Sequence, residues 1–271
     1  MEKTHRVAYN TVALYANMVV TMLVTLLGTR FVLEALGKQE YALYTLLMST
    51  VLMLSFINVA MANATQRYLS FSMGANDKAQ VREIFYNSTV IHSLIALLLG
   101  ILLLGLGIPA VHYWLDIPYE LRDKAVIVLL CMITSVVCTV LSVPFEATMN
   151  AHEDIFVIAG ISALEAVCKL AAAVIVLNIS QHQLIIYSVL MMSASMIAFL
   201  CKRMYSRSHY EESHYVWHKV KDFQLIRNMI GFAGWNLIGI GCSMVRYQGA
   251  AILLNKFFGL LINAGYGVAQ Q

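Results

Sequence analysis

Long continuous apolar runs limit the folds open to this chain more than any other feature. The first run, residues 10–36, reads NTVALYANMVVTMLVTLLGTRFVLEAL, which is longer than the roughly 20 residues that a helix needs to cross a bilayer. Charged residues make up only 12% of the sequence, against about 25% in soluble proteins. A β-barrel would show alternating polarity rather than continuous runs. We therefore predict an all-α polytopic membrane protein.

Seven membrane-spanning helices are predicted, at approximately 11–36, 42–66, 86–108, 125–148, 155–177, 184–201 and 229–254. Residues 1–228 are predicted to form a six-helix lobe with a cytoplasmic connector, and residues 229–271 to begin a second lobe. A further apolar run starts near Phe257 and meets the end at Gln271. A helix that stops halfway would expose backbone groups to lipid, so this predicts a truncated product, a fragment or a chain that needs a partner.

The predicted connections are polar and mostly short. Residues 70–82 are predicted to form a polar loop, and residues 202–228 a long connector that divides the two lobes. The end of that connector, KDFQLIRNMIGF, is a candidate amphipathic interfacial helix. Most Lys and Arg residues outside the spans fall on the side of the N-terminus, so the positive-inside rule predicts a cytoplasmic N-terminus.

Two predicted spans carry a polar stripe at helical spacing. In the first span, the small and polar residues fall within about 80° of one another on an ideal helix; they are Asn10, Asn17, Thr21, Thr25 and Gly28. In the seventh span the stripe comprises Asn236, Gly239, Ser243, Arg246 and Ala250. Such stripes are typical of helices that line a cavity, although small polar residues also let helices pack closely.

Ionisable residues inside the spans are candidate functional groups, because each costs roughly 2.5–3.5 kcal/mol to insert at mid-bilayer. Glu165 and Lys169 have the spacing and order of a favourable pair on one helix face. They are either a self-neutralising pair or a titratable, substrate-contacting site. Glu146 follows Pro144 and is expected to pair with a basic residue or to carry protons.

Two arginines are candidate anion contacts, since a guanidinium matches phosphate oxygens in a bidentate way. Arg246 lies on the polar stripe of the seventh span, with an interhelical pair to a carboxylate such as Glu165 as the alternative. Arg67 ends the second span and is equally interpretable as an anchor at the cytoplasmic surface.

No motif predicts catalysis or a cofactor. The five cysteines form no CxxC pair, and HExxH, GxSxG, P-loop and GxGxxG patterns are missing from any convincing context. We therefore expect no enzyme activity, metal, cofactor or nucleic-acid partner.

Four stretches together resemble the polysaccharide (O-antigen type) flippases of the multidrug/oligosaccharidyl-lipid/polysaccharide exporter superfamily. They are RFVLEALGKQEYALYTL at 30–46, ANATQRYLSFSMGAND at 62–77, VPFEATMNAHE at 143–153, and FAGWNLIGIGCSMVRYQGAAILLNKFFGLLINAGYG at 232–267. They are most similar to the lipopolysaccharide-biosynthesis flippases of gut-type Bacteroidota.

The resemblance implies a MATE-like arrangement of two six-helix lobes around a central cavity that opens alternately to each side. It also implies a lipid-linked oligosaccharide substrate, carried across the bacterial inner membrane for lipopolysaccharide assembly. Cationic cavity residues contact the pyrophosphate in such flippases, and the candidates here are Arg246 and Arg67, with Arg30 and Lys169 as weaker ones.

Three functions compete at this stage. A flippase would bind lipid-linked oligosaccharide and membrane lipid, with a proton or sodium ion as a coupling partner. A drug/cation antiporter of the same fold would need cavity carboxylates, for which only Glu165 and Glu146 are available. A membrane enzyme on the same lipid carrier would need a large outer loop or an acidic cluster, and residues 109–124 offer neither.

Overall fold

A computed structural model describes the backbone of residues 3–52, 56–114, 117–214 and 223–258. Side chains are described over 9–48, 51, 59–113, 117–214, 223–240 and 242. The helices within these residues are α1 (Lys3–Leu52), α2 (Phe56–Gly74), α3 (Lys78–Pro109), α4 (Tyr119–Ala151), α5 (Ile155–Leu177), α6 (Gln183–His209) and α7 (Phe223–Phe258). A π-helical turn at Ala110–Trp114 follows α3, and a 3-10 turn at Glu211–Ser213 follows α6.

The prediction of an all-α polytopic membrane protein is confirmed. Within the described residues, five helical segments are long and apolar enough to cross a bilayer: Tyr9–Met48, Lys78–Tyr113, Tyr119–Ala151, Ile155–Leu177 and Gln183–His209. The longest of these contains a break at Gly37, whose φ of 69° lies in the left-handed region that glycine tolerates best. Gly37 therefore separates the first predicted span from the start of the second.

The predicted polar loop at 70–82 is wrong in extent. α2 continues to Gly74 and α3 begins at Lys78, so only three residues connect the two helices. The side chain of Asp77 accepts a hydrogen bond from the backbone N–H of Gln80 at 3.0 Å, which caps the start of α3. A polar sequence outside the bilayer can remain helical, and this cap shows why the helix starts earlier than hydropathy suggests.

The predicted connector at 202–228 and its interfacial helix are also corrected. α6 continues to His209, and residues from Phe223 onward are the first turns of α7 rather than a separate helix. Leu225 and Met229 are buried. Because they are four residues apart, they lie on one face of α7, and this buried face continues into the apolar run. Residues 215–222 lie outside the described structure.

The two larger of four apolar clusters within the described residues hold most of the helices together. One joins α1, on both sides of Gly37, to α3, α4, α5 and α6, with Leu47, Leu129 and Leu184 almost fully buried. The other joins α2, α3, α4 and α7, with Ile84 and Met229 at its centre. The helix of the predicted second lobe thus packs against the first six helices, mainly along α2.

Candidate functional site: an ion-paired cavity among the helices

A cavity of about 330 Å³ lies between the second part of α1 and helices α4, α5 and α6, with Val59 of α2 also in its wall. Its volume is near the lower end of the roughly 300–1,000 Å³ of ligand pockets. The wall is largely apolar, with Tyr44, Met48 and Met191 among its members. Besides the phenol of Tyr44, its polar members are two charged groups and four aliphatic hydroxyls: Ser135, Thr139, Glu165, Lys169, Ser188 and Ser195.

Glu165 and Lys169 form an ion pair inside this cavity. The Nζ atom of Lys169 lies 2.7 Å from Oε1 of Glu165, so the pairing that their spacing permits on α5 is realised. The side chain of Glu165 is 23% exposed and that of Lys169 is 37% exposed. The cavity therefore contains both signs of charge, and the pair carries no net charge.

The cavity hydroxyls of α4 and α6 donate their protons to backbone carbonyls of their own helices. Oγ of Ser135 donates to the carbonyl of Cys131 at 3.0 Å, Oγ1 of Thr139 to that of Ser135 at 3.0 Å, and Oγ of Ser188 to that of Leu184 at 2.8 Å. A hydroxyl that donates in this way keeps its oxygen lone pairs as acceptors. These three side chains therefore offer acceptors to the cavity.

A second ion pair neutralises Glu146, the other candidate titratable residue. Its Oε2 accepts from Nζ of Lys202 at 2.7 Å, linking α4 to α6. The Lys202 side chain is only 11% exposed, and that of Glu146 is 38% exposed. The polar residues that follow Lys202 predict that it belongs to the connector, whereas it lies on α6 beside Glu146.

The polar stripe of the first span is divided between two surfaces. Asn10 donates from Nδ2 to the backbone carbonyl of Glu153 at 3.0 Å, and Asn17 is half-buried. In contrast, Thr21 and Thr25 are exposed. Of α1, only the part after Gly37 contributes to the described lining of the ion-paired cavity, and none of these residues belongs to that lining. Their role in a different, central cavity stays a prediction.

Arg67 contacts α7. Its guanidinium carbon lies 4.3 Å from the ring centroid of Phe232, a cation–π distance. Asn236 follows Phe232 by four residues and is half-buried, so the two share a face of α7. The side chains of Ser243 and Arg246 lie outside the described residues, and their proposed roles stay predictions.

A buried polar cluster joins α2 and α3, and it was not anticipated from the sequence. Oγ1 of Thr65 lies 2.9 Å from Oγ of Ser88, and Nδ1 of His92 lies 2.8 Å from the carbonyl of Ser88. All three residues are fully buried. His92 is therefore a packed polar residue between these two helices.

The residues that follow α6 contact the turn between α4 and α5. Nε2 of His152 lies 2.5 Å from Oε1 of Glu212, and the His152 ring stacks on Tyr210 at 4.1 Å. The hydroxyl of Tyr210 donates to Asp154, and burial together with this carboxylate raises the pKa of Tyr210. Arg82 of α3 pairs with Glu211 at 3.0 Å on the surface.

Replacing Glu212 by Gln is expected to destabilise the protein at neutral pH by about 1–1.5 kcal/mol, because the Gln oxygen still accepts from His152 and only the difference between a charged and a neutral hydrogen bond is lost. Burial alone would raise the pKa of Glu212, but the hydrogen bond from His152 and the nearby positive charges lower it. A carboxyl whose pKa is lowered on folding stabilises the fold above its unfolded pKa of about 4.3. That stabilisation is lost as the pH falls through the lower folded pKa.

Thermal unfolding of wild type and Glu212→Gln in detergent between pH 7 and pH 3 measures this effect. The gap in melting temperature should close below about pH 4. Glu211→Gln is the matched control, because the Glu211 and Arg82 side chains are 74% and 60% exposed and exposed pairs contribute little. An equal loss in both variants would contradict the assigned role of His152.

The chain belongs to the MatE family, whose profile matches residues 13–175, more than half of the sequence. Its fold is similar to that of a MOP superfamily transporter from Pyrococcus furiosus, described as having a binding pocket of reversed polarity. That likeness has a TM-score of 0.71 at 12% identity, over 98% of this chain and 60% of the other.

A second similar structure is an outward-facing multidrug resistance MATE family transporter of the MOP superfamily, with a TM-score of 0.68 at 12% identity. It is covered over 55% of its length and this chain over 91%. The chain therefore spans somewhat more than half the length of the solved structures that it resembles. Comparison with curated protein sequences gives no match. These findings confirm the MATE-like fold and the superfamily.

Proposed function

We propose that the protein is a flippase, moving a polyprenyl-pyrophosphate-linked oligosaccharide across the cytoplasmic membrane for surface polysaccharide assembly. MatE membership and the MOP-type fold support membrane transport in general. The observation that favours this substrate class is that both candidate carboxylates are paired with lysines. Glu165 and Glu146 each lie 2.7 Å from a lysine ammonium.

This pairing argues against the drug/cation antiporter. An antiporter of that kind needs a carboxylate that is free to exchange its cation for a drug or ion. An ammonium at 2.7 Å already satisfies such a carboxylate, and displacing it would leave an unpaired positive charge in the protein interior. A neutral, hydrogen-bonding substrate does not require that displacement.

The chemistry of the cavity fits a saccharide. Sugar hydroxyls are donors, and Ser135, Thr139 and Ser188 present acceptor oxygens. Met48 and Met191 supply apolar surface beside them, suited to the C–H faces of a sugar ring. A single saccharide unit is the part of the substrate that this cavity would receive.

Residues outside the ion-paired cavity would bind the pyrophosphate and line the central cavity. We propose that Arg246 and Arg67 contact the pyrophosphate, and that Asn236, Ser243, Asn17, Thr21 and Thr25 face a central cavity. Residues 1–228 would form the first lobe and residues 229–271 the start of the second, with the N-terminus in the cytoplasm. Substrate binding would bias a rocking motion between the lobes.

Native mass spectrometry of the purified protein tests the substrate class. We expect an adduct with a polyprenyl-pyrophosphate oligosaccharide, weakened in a Ser135→Val/Thr139→Val variant whose cavity acceptors are removed. Ser193→Val is the control, since Ser193 also donates to its own helix but is not a cavity residue. Stoichiometric binding of ethidium that requires Glu165, with no glycolipid adduct, would favour the antiporter instead.

A further inference from the structure

The ion-paired cavity has the donor set of a cation site. Glu165 supplies a carboxylate, and Ser135, Thr139 and Ser188 supply hydroxyl oxygens that have already donated their protons to backbone carbonyls. Hard metal cations are bound by such a set of carboxylate and neutral oxygens. Among the described lining residues, the one positively charged side chain is Lys169, whose ammonium contacts Glu165.

We propose that Lys169 is the resident cation of this cavity and excludes Na⁺ from Glu165. Its ammonium carries the charge of Na⁺ and already lies 2.7 Å from Oε1 of Glu165. It is attached to the same helix one turn away, so its effective concentration at the carboxylate does not depend on the bathing solution. A sodium ion would have to enter beside a like charge in a medium of low dielectric constant.

A comparison with the Glu146–Lys202 pair shows why the position of Lys169 matters. Glu146 and Lys202 are equally close, at 2.7 Å, but they lie outside the ion-paired cavity and its hydroxyls. Losing the lysine should therefore create a sodium site only at Glu165. Lys169 is a specificity-determining residue rather than a member of a generic neutralising pair.

This inference deepens the proposed function, and rests on it for its meaning in transport. In a flippase of this kind, sodium cannot drive the rocking motion through Glu165. The cavity stays electrically balanced in every conformation that keeps the pair. Its acceptors then remain available to an uncharged part of the substrate.

Equilibrium binding of radioactive sodium to the purified full chain, by scintillation proximity in detergent, tests the proposal. Wild type should show no saturable binding. Lys169→Met should bind one sodium ion per chain in a saturable way, with a dissociation constant at least about tenfold below the highest sodium concentration at which wild type shows no saturation, or about 1.4 kcal/mol. The Glu165→Gln/Lys169→Met variant should lose this site, and Lys202→Met should not gain one.

Saturable sodium binding by wild type that disappears in Glu165→Gln would overturn the proposal. So would a monodisperse Lys169→Met protein without sodium binding, or binding that survives in the double variant. If Lys169→Met does not fold, the comparison of wild type with Glu165→Gln and of Lys169→Gln with its Glu165→Gln double variant decides the question. Because no glycolipid is present, a failure here is separate from a failure of the proposed substrate.

Discussion

Gly107→Val should destabilise the protein strongly, whereas the same change two residues earlier should not. A Cβ atom at Gly107 would lie 2.8 Å from Cδ2 of Leu129, in the closest approach of α3 to α4 among the described glycines. Leu129 is 1% exposed and belongs to the apolar cluster that joins α1 to α3, α4, α5 and α6, so it has little room to move. Overpacking of this kind costs about 1–3 kcal/mol.

Gly105→Val is the control for Gly107→Val. A Cβ atom at Gly105 meets nothing within 4 Å, and the change in intrinsic helix propensity is the same at both positions. Thermal unfolding in detergent, followed by size-exclusion chromatography, measures the difference. Similar melting temperatures for the two variants would contradict the close packing of α3 against α4.

Removing one member of the Glu146–Lys202 pair should have the next largest effect. Breaking a buried ion pair costs about 3–5 kcal/mol, and the 38% exposure of Glu146 reduces this to about 1–3 kcal/mol here. Glu146→Gln should be the worse variant, because it leaves the ammonium of Lys202 unpaired at 11% exposure. Lys202→Met leaves only the more exposed carboxylate.

The double variant Glu146→Gln/Lys202→Met separates pairing from packing. With both charges gone, neither is left unpaired, so much of the stability lost in Glu146→Gln should return. Urea or thermal unfolding of the four proteins gives the coupling free energy. Additive losses would show that the two side chains act independently and would remove the argument that Glu146 is neutralised.

The helices were predictable from the sequence, because continuous apolar runs need no tertiary context to be recognised. The Glu165–Lys169 pair was predictable for a similar reason, since both residues lie on one helix at a fixed spacing. Hydropathy did not predict where a helix begins or ends outside the bilayer. The cap at Asp77 and the early start of α7 at Phe223 depend on hydrogen bonding and burial outside the bilayer.

Contacts between distant parts of the chain were not predictable. Glu146 and Lys202 are 56 residues apart, and His152 and Glu212 are 60 apart. In lipid, a helix can be apolar on every side, so the sequence pattern says little about which face meets a neighbour. For the same reason, the stripe did not predict that Thr21 and Thr25 are exposed while Asn17 is half-buried.

The central claim is that the transported species is a lipid-linked oligosaccharide. The most direct test disrupts the gene in the organism that encodes it and measures how much lipid-linked oligosaccharide lies in each leaflet of the cytoplasmic membrane, by its accessibility to a periplasmic glycosidase. The flippase proposal predicts accumulation in the cytoplasmic leaflet, reversed by the wild-type gene. An unchanged distribution between leaflets, with surface polysaccharide at its normal level, would contradict it.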